Sequence, residues 1–153
     1  MNILVTGGTG FVGKPLVEAL LSRGDTVTVL TRSIEKAQAV FSEKTPQFLT
    51  ALLTLKDLNT FDAVINLAGE PIFNKKWTVQ QKEKLRHSRI DLTQQLVQLI
   101  NQSEYPPALI SGSATGVYGN CGDEQITENT NPSTQFTADI PDLKVAALVI
   151  FAV

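Results

Sequence analysis

Ile3-Leu4-Val5, then Thr6-Gly7-Gly8-Thr9-Gly10-Phe11-Val12-Gly13: a short β-forming run passes directly into glycines spaced G-x-x-G-x-x-G. The residues after the glycines are helical in pattern. Val12, Leu16, Leu20 and Leu21 recur at helical spacing, Pro15 is tolerable in a first turn, and Gly24 suits the left-handed residue that ends a helix. Val27 to Leu30 is then a second β-branched run. The unit is strand, glycine turn, helix, strand.

That context gives the glycines a purpose. Gly7 permits a tight turn, Gly10 removes the Cβ that would block a pyrophosphate, and Gly13 lets the helix lie close on the strand. Backbone N–H groups at the helix start, aided by the helix dipole, then face phosphate oxygens. Gly7, Thr9, Gly10, Phe11, Val12 and Gly13 are therefore candidate contacts to a dinucleotide. The plain alternative, a glycine-rich turn that binds nothing, does not account for the strand before it and the helix after it. Nor is this a P-loop: Lys14 follows Gly13, but the glycine spacing differs and Pro15 stands where a Ser or Thr is required.

The end of the second strand chooses between cofactors. NAD-binding versions place a carboxylate there, about 20 residues past the glycines, to hold the ribose 2′-hydroxyl. This chain reads Val29-Leu30-Thr31-Arg32. With no acid present, Arg32 can pair with a 2′-phosphate and stack on adenine, and Thr31 sits beside it. The expectation is NADP, with NAD less favoured, against the alternative of a solvated surface arginine.

Farther out, the alternation continues. Ser33 can cap a helix whose Ile34, Ala37 and Phe41 share a face, and Pro46 stops it. The stretch 47–59 is ambiguous. Phe61 to Asn66 reads as a strand, Thr78 to Gln81 as a capping box opening a helix toward Asn101, and Ala108 to Ile110 as a strand entering the small-residue run Ser111 to Gly119. Leu85, Leu92, Leu96, Leu99 and Ile100 are the long helix's candidate core contacts. The fold class expected is α/β, a Rossmann-type doubly wound parallel sheet in the order 3-2-1-4-5, truncated relative to a full version.

Composition narrows the functional classes. The chain has 153 residues, 42% hydrophobic and 18% charged, which suits one globular domain. Thirteen Lys and Arg against fifteen Asp and Glu leave a net charge of −2, so nucleic acid is not an expected partner. Cys121 and His87 are single, which argues against an internal disulfide and a metal cluster. No signal peptide or membrane span is recognised, the longest apolar run being Val145 to Val153, and the expected location is cytoplasmic.

Three segments resemble the extended short-chain dehydrogenase/reductases: the Thr6 to Gly13 loop, Asn66-Leu67-Ala68-Gly69, and Ser111-Gly112-Ser113-Ala114 followed by Val117-Tyr118-Gly119. Asn66 to Ile72, Lys76-Trp77-Thr78 and Ser88-Arg89 resemble one branch in particular, the YfcH-like proteins assigned as nucleoside-diphosphate-sugar epimerases. The resemblance runs from Met1 to about Leu148. It implies that Leu67, Ala68 and Gly69 line the cofactor's path, that Ser111 lies beside it, and that Ser113 is the serine that hydrogen-bonds the substrate's reacting oxygen. Trp77 is either a substrate-side wall or a staple at the helix start. His87 reads as a surface residue, and Lys82, Lys84, Arg86 and Arg89 as a solvated helix face.

The departures matter as well. Catalytic members carry Tyr-x-x-x-Lys after the serine, in which the lysine lowers the tyrosine's pKa. Here Tyr105 precedes Leu109 and Tyr118 precedes Gly122, while alignment past Pro132 puts Phe136 and Ile140, or Thr137 and Pro141, at the pair. The YfcH-like branch itself tends to lack the pair. Family members are also longer, so the expectation is a single NAD(P)-binding domain over 1–153 without the C-terminal substrate region, self-associating through an uncovered sheet edge and apolar tail. The function expected is the NADP(H)-binding part of an epimerase- or oxidoreductase-like protein acting on a nucleotide sugar or related small molecule. The alternative is a redox sensor that binds NADP(H) and catalyses nothing.

Overall fold

The computed structural model describes residues 1–41, 45–71, 75–112, 118–127 and 129–131. Its centre is a parallel sheet of five strands: β1 (Asn2–Thr6), β2 (Thr26–Leu30), β3 (Gln47–Leu49), β4 (Ala63–Asn66) and β5 (Ala108–Ser111), ordered β3-β2-β1-β4-β5. Helix α1 (Gly13–Arg23) joins β1 to β2, α2 (Ile34–Gln38) precedes β3, and α3 (Val79–Gln102) precedes β5. This is the order and class expected of the Rossmann-type reading.

Covering both faces explains why the strands read as nearly continuous apolar runs. Ile3, Val5, Val27, Val29 and Ile65 point to the α1 side, where they meet Val17, Leu20 and Phe41. Leu4, Val64 and Leu109 point to the other side, against Leu96 and Leu99 of α3 and against Leu52 and Leu58. Period-two alternation divides each strand between two cores.

Register then aligns the strand ends. Thr6 pairs with Leu30 on one side and Asn66 on the other, and Asn66 pairs with Ser111. The chain crosses from strand to helix beyond that line, at the topological switch where β1 sends its neighbours in opposite directions.

Several local expectations need adjustment. Val12 is 61% exposed as the N-cap of α1, and its place on the core-facing stripe belongs to Val17, which is fully buried. Ile34 is largely exposed while Ala37 and Phe41 are buried, since α2 ends at Gln38 and presents little more than one turn to the core. The ambiguous 47–59 stretch holds β3 and a 3₁₀ turn at Leu52–Thr54. The strand expected from Phe61 starts at Ala63, because Asp62 N–H already turns to Asn2 O at 2.8 Å. Ser33 and Thr78 cap α2 and α3 as expected, accepting from Lys36 N–H and Gln81 N–H.

Candidate functional site

A cleft of about 1010 Å³ opens beyond the C-terminal ends of β1, β2 and β4. Thr6, Gly7, Thr9 and Gly10 form its floor, residues from Leu30 to Val40 one end, and Leu67 to Pro71 with Ser88 and Leu92 the other.

The floor is set by backbone packing. Gly7 has φ +68°, in the left-handed region, and its carbonyl accepts Gly10 N–H at 2.9 Å, closing the turn. A Cβ on Gly13 would stand 2.2 Å from Gly7 O and 2.7 Å from Gly8 Cα, so α1 can start here only with glycine. The N–H groups of Phe11 and Val12 donate to no backbone acceptor among the described residues, as expected of the orphan donors at a helix start. These free donors beside Gly10 fit an anionic group such as a pyrophosphate. Gly7, Thr9 and Gly10 line the cleft, whereas Gly13 is buried beneath it and Phe11, 98% exposed, and Val12 lie at its outside.

At the β2 end the chain is fixed by small hydrogen bonds. Thr31 N–H donates to Leu49 O at 2.9 Å, and Thr31 Oγ1 both donates to Ser33 O and accepts Ser33 N–H. Thr31 and Arg32 both line the cleft. So does Lys36, which sequence reasoning passed over. Lys36 stands in the first turn of the helix that follows Arg32, three residues past the Ser33 cap. Among the described cleft-lining residues the sole carboxylate is Glu70, beyond β4 rather than β2.

The opposite end is built from side chains. Thr6 Oγ1 donates to Asn66 Oδ1 at 2.6 Å and accepts Ala68 N–H at 3.2 Å. Asn66 Nδ2 donates to Thr93 Oγ1 at 3.0 Å and to Ser111 Oγ at 3.4 Å, so one buried amide ties β1, β4, β5 and α3 together. Ser111 is thereby committed beneath the cleft and is not among its lining residues, while Leu67, Ala68 and Gly69 are.

Glu70 faces the cleft with a side chain 14% exposed, paired with Lys75 at 3.4 Å and Lys84 at 3.9 Å. Burial pushes its pKa up, but Lys84 and Lys75, with a hydrogen bond from Gln81, outweigh that and hold the carboxyl below the ordinary glutamate value. Arg89 thus leaves the expected solvated face, whereas Lys84 stays exposed on it with its ammonium 3.9 Å from Glu70. Arg89 is half-buried, and its desolvation, opposed by Glu70, lowers its pKa from the ordinary arginine value. His87 is exposed and pairs with Asp91. Trp77 is 39% exposed before the Thr78 cap and is not a lining residue.

The expected catalytic residue Ser113, and the positions Phe136, Thr137, Ile140 and Pro141 that align with the Tyr and Lys, lie outside the described residues, as do Val145 to Val153. Tyr105 stands at the amino end of β5, 69% exposed, its N–H donating to Asn59 Oδ1, at the edge of the sheet opposite the cleft. Among the described residues no group of His, Cys, Asp and Glu could hold a metal, and no helix is long and apolar enough to cross a membrane.

A family model described as the NAD dependent epimerase/dehydratase family matches residues 3–139. The "Epimerase family protein SDR39U1 homolog, chloroplastic" of Arabidopsis thaliana is 34% identical over 146 residues, which cover 92% of this chain and 42% of that protein. The crystal structure of human epimerase family protein SDR39U1 with NADPH superposes with a TM-score of 0.76 at 28% identity, covering 98% of this chain and 50% of that one. A nucleoside-diphosphate sugar epimerase from Corynebacterium glutamicum gives 0.73 at 30% identity, covering 96% of this chain and 30% of that one. The chain therefore spans half or less of the length of each.

Proposed function

The chain belongs to the NAD dependent epimerase/dehydratase family, and from that premise we propose that it is the NADP(H)-binding unit, over 1–153, of an epimerase- or oxidoreductase-like protein acting on a nucleotide sugar or related small molecule. One observation carries the cofactor part: Arg32 and Lys36 line the cleft beyond β2 with no carboxylate among the described lining residues there. The similarity to a human relative crystallised with NADPH supports the same reading, and that to a nucleoside-diphosphate sugar epimerase supports the substrate class.

Bound in this cleft, a nicotinamide supplies a hydride acceptor or donor. The protein's own part is to bind and orient. The Gly7 to Gly10 turn and the free N–H groups before α1 hold the phosphates, Arg32 and Lys36 hold the 2′-phosphate, and Leu67 to Gly69 wall the remainder of the path. Among the described residues no Tyr-x-x-x-Lys pair serves proton transfer: Tyr105 stands at the amino end of β5, away from the cleft, and neither it nor Tyr118 has a lysine four residues on. That favours the second reading, an NADP(H)-binding sensor without turnover.

Calorimetric titration with NADPH and NADH separates these. NADPH is expected to bind more tightly, and Arg32→Ala to remove about tenfold of the preference, the size of one charge-assisted contact. Equal affinity of the wild type for both cofactors overturns the assignment of Arg32. Turnover on a panel of nucleotide sugars would overturn the sensor reading, and its loss in Ser113→Ala would assign that serine a role in the reaction.

A further inference from the structure

We infer that Arg89 is a positioning residue for the cleft: its guanidinium, inserted from α3, is the template on which the 67–71 wall is shaped, and Gly69 is glycine to admit it. The inference rests on reading the cleft as the cofactor site, although Arg89 itself is not among its lining residues while Gly69, Glu70, Pro71 and Ser88 are.

Arg89 Nη1 donates to Leu85 O at 3.0 Å and to Ser88 Oγ at 3.4 Å, and Nη2 donates to Glu70 O at 3.1 Å. Ser88 Oγ accepts Glu70 N–H at 3.0 Å and donates to Leu85 O at 2.9 Å. Successive residues of one helix thus hold the N–H and the C=O of a single loop residue, which fixes the peptide planes on both sides of Glu70. The planar guanidinium fork spans Leu85 O and Glu70 O together; a lysine ammonium, a single point on a flexible stem, does not.

Gly69 is the other half of the fit. A Cβ there would lie 2.8 Å from Arg89 Cζ, 2.9 Å from Nη2 and 3.1 Å from Nε. Gly69 is not among the described glycines with positive φ, so its backbone places no demand for glycine. The three atoms nearest to a Cβ there all belong to the guanidinium.

The test is a double-mutant cycle on the full chain, read by NADPH titration and residue-resolved amide exchange. Arg89→Ala and Gly69→Ala should each weaken NADPH about tenfold, the size of a lost charge-assisted hydrogen bond. Combined, they should cost little more than Arg89→Ala alone, because the methyl then enters space the guanidinium has left. Arg89→Lys should not restore affinity, and the Ala68 to Glu70 amides should exchange faster while those of α1 keep wild-type rates. Additive losses, or wild-type affinity and exchange in Arg89→Ala, overturn the inference. Should Arg89→Ala fail to fold, Ser88→Ala carries the test through Glu70 N–H, whose exchange must accelerate; an unchanged rate overturns the inference. A wild type that binds no NADPH defeats the cofactor reading, while the exchange measurements still decide the clamp.

Discussion

The two walls of the cleft meet at Gly7 and Leu67, where a Cβ on Gly7 would touch Leu67 C at 2.6 Å, yet they are held by opposite means. The wall from Gly7 into α1 is backbone against backbone, its shape dictated by residues that lack a side chain. The 67–71 wall is backbone against side chain, its shape dictated by Thr6, Ser88 and Arg89 reaching in from elsewhere. A backbone-packed wall tolerates no substitution at its contact points, whereas a wall held by side chains can relax when one is changed.

The largest effect should come from Gly13→Ala. The new methyl would meet Gly7 O and Gly8 Cα, neither of which can rotate away, so α1 must move off β1 or the turn must open. A loss of at least about 3 kcal/mol is expected, at the upper end for overpacking, measured as a fall in urea midpoint. Gly69→Ala should cost distinctly less, because the obstacle is the end of a long side chain. Equal costs would erase the distinction between the walls.

Thr6→Val attacks the joint beneath both walls. It leaves Asn66 Oδ1 without its buried donor and Ala68 N–H without its acceptor. Stranding such groups costs about 1 to 3 kcal/mol. Amide exchange should then quicken across 67–71 and stay unchanged at Gly7 to Gly10, if the first wall is held by its own packing. Quickening in both would show that Thr6 supports both equally.

The same contrast decides what could be read in the sequence. The first wall is local, so G-x-x-G-x-x-G between a strand and a helix announces it, and Arg32 lies where the second strand must end. Alternation implies a parallel sheet with helices on both faces, and the order follows from the doubly wound type that the glycine turn points to. The second wall depends on α3 lying across the loop after β4, a contact of nineteen residues' separation between Glu70 and Arg89 that no periodicity encodes. Arg89 looked like one more cation among Lys82, Lys84 and Arg86 because the partners that remove it from water are two backbone carbonyls. Asn66 looked like the end of a strand, and its amide network appears only once β4 is placed between β1 and β5. Lys36 joins the cleft only through the fold, which sets the first turn of α2 beside the end of β2.

Acid should separate the walls by the smallest margin. Glu70 belongs to the second wall; burial raises its pKa, but Lys84 and Lys75, with a hydrogen bond from Gln81, outweigh it and leave the folded value below the ordinary glutamate one. A carboxyl with a depressed folded pKa contributes stability that is complete above the unfolded value and lost as pH falls through the folded one, so the window opens at the ordinary carboxylate value and runs down from it. The effect is small because Lys75 and Lys84 are more than half exposed and screened by water and salt. Asp25 shares the window at the sheet's other edge, lowered by its hydrogen bond from Arg23 and then by the N-terminal ammonium, and must be separated from it. Urea midpoints followed from neutral pH into that window should fall less steeply in Glu70→Gln than in the wild type, and Asp25→Asn should remove a different share of the slope. Amide exchange, corrected for its intrinsic pH dependence, should loosen in 67–71 of the wild type before it loosens in Gly7 to Gly10. A Glu70→Gln profile parallel to the wild type would mean that the lysines, though close, do not hold this wall.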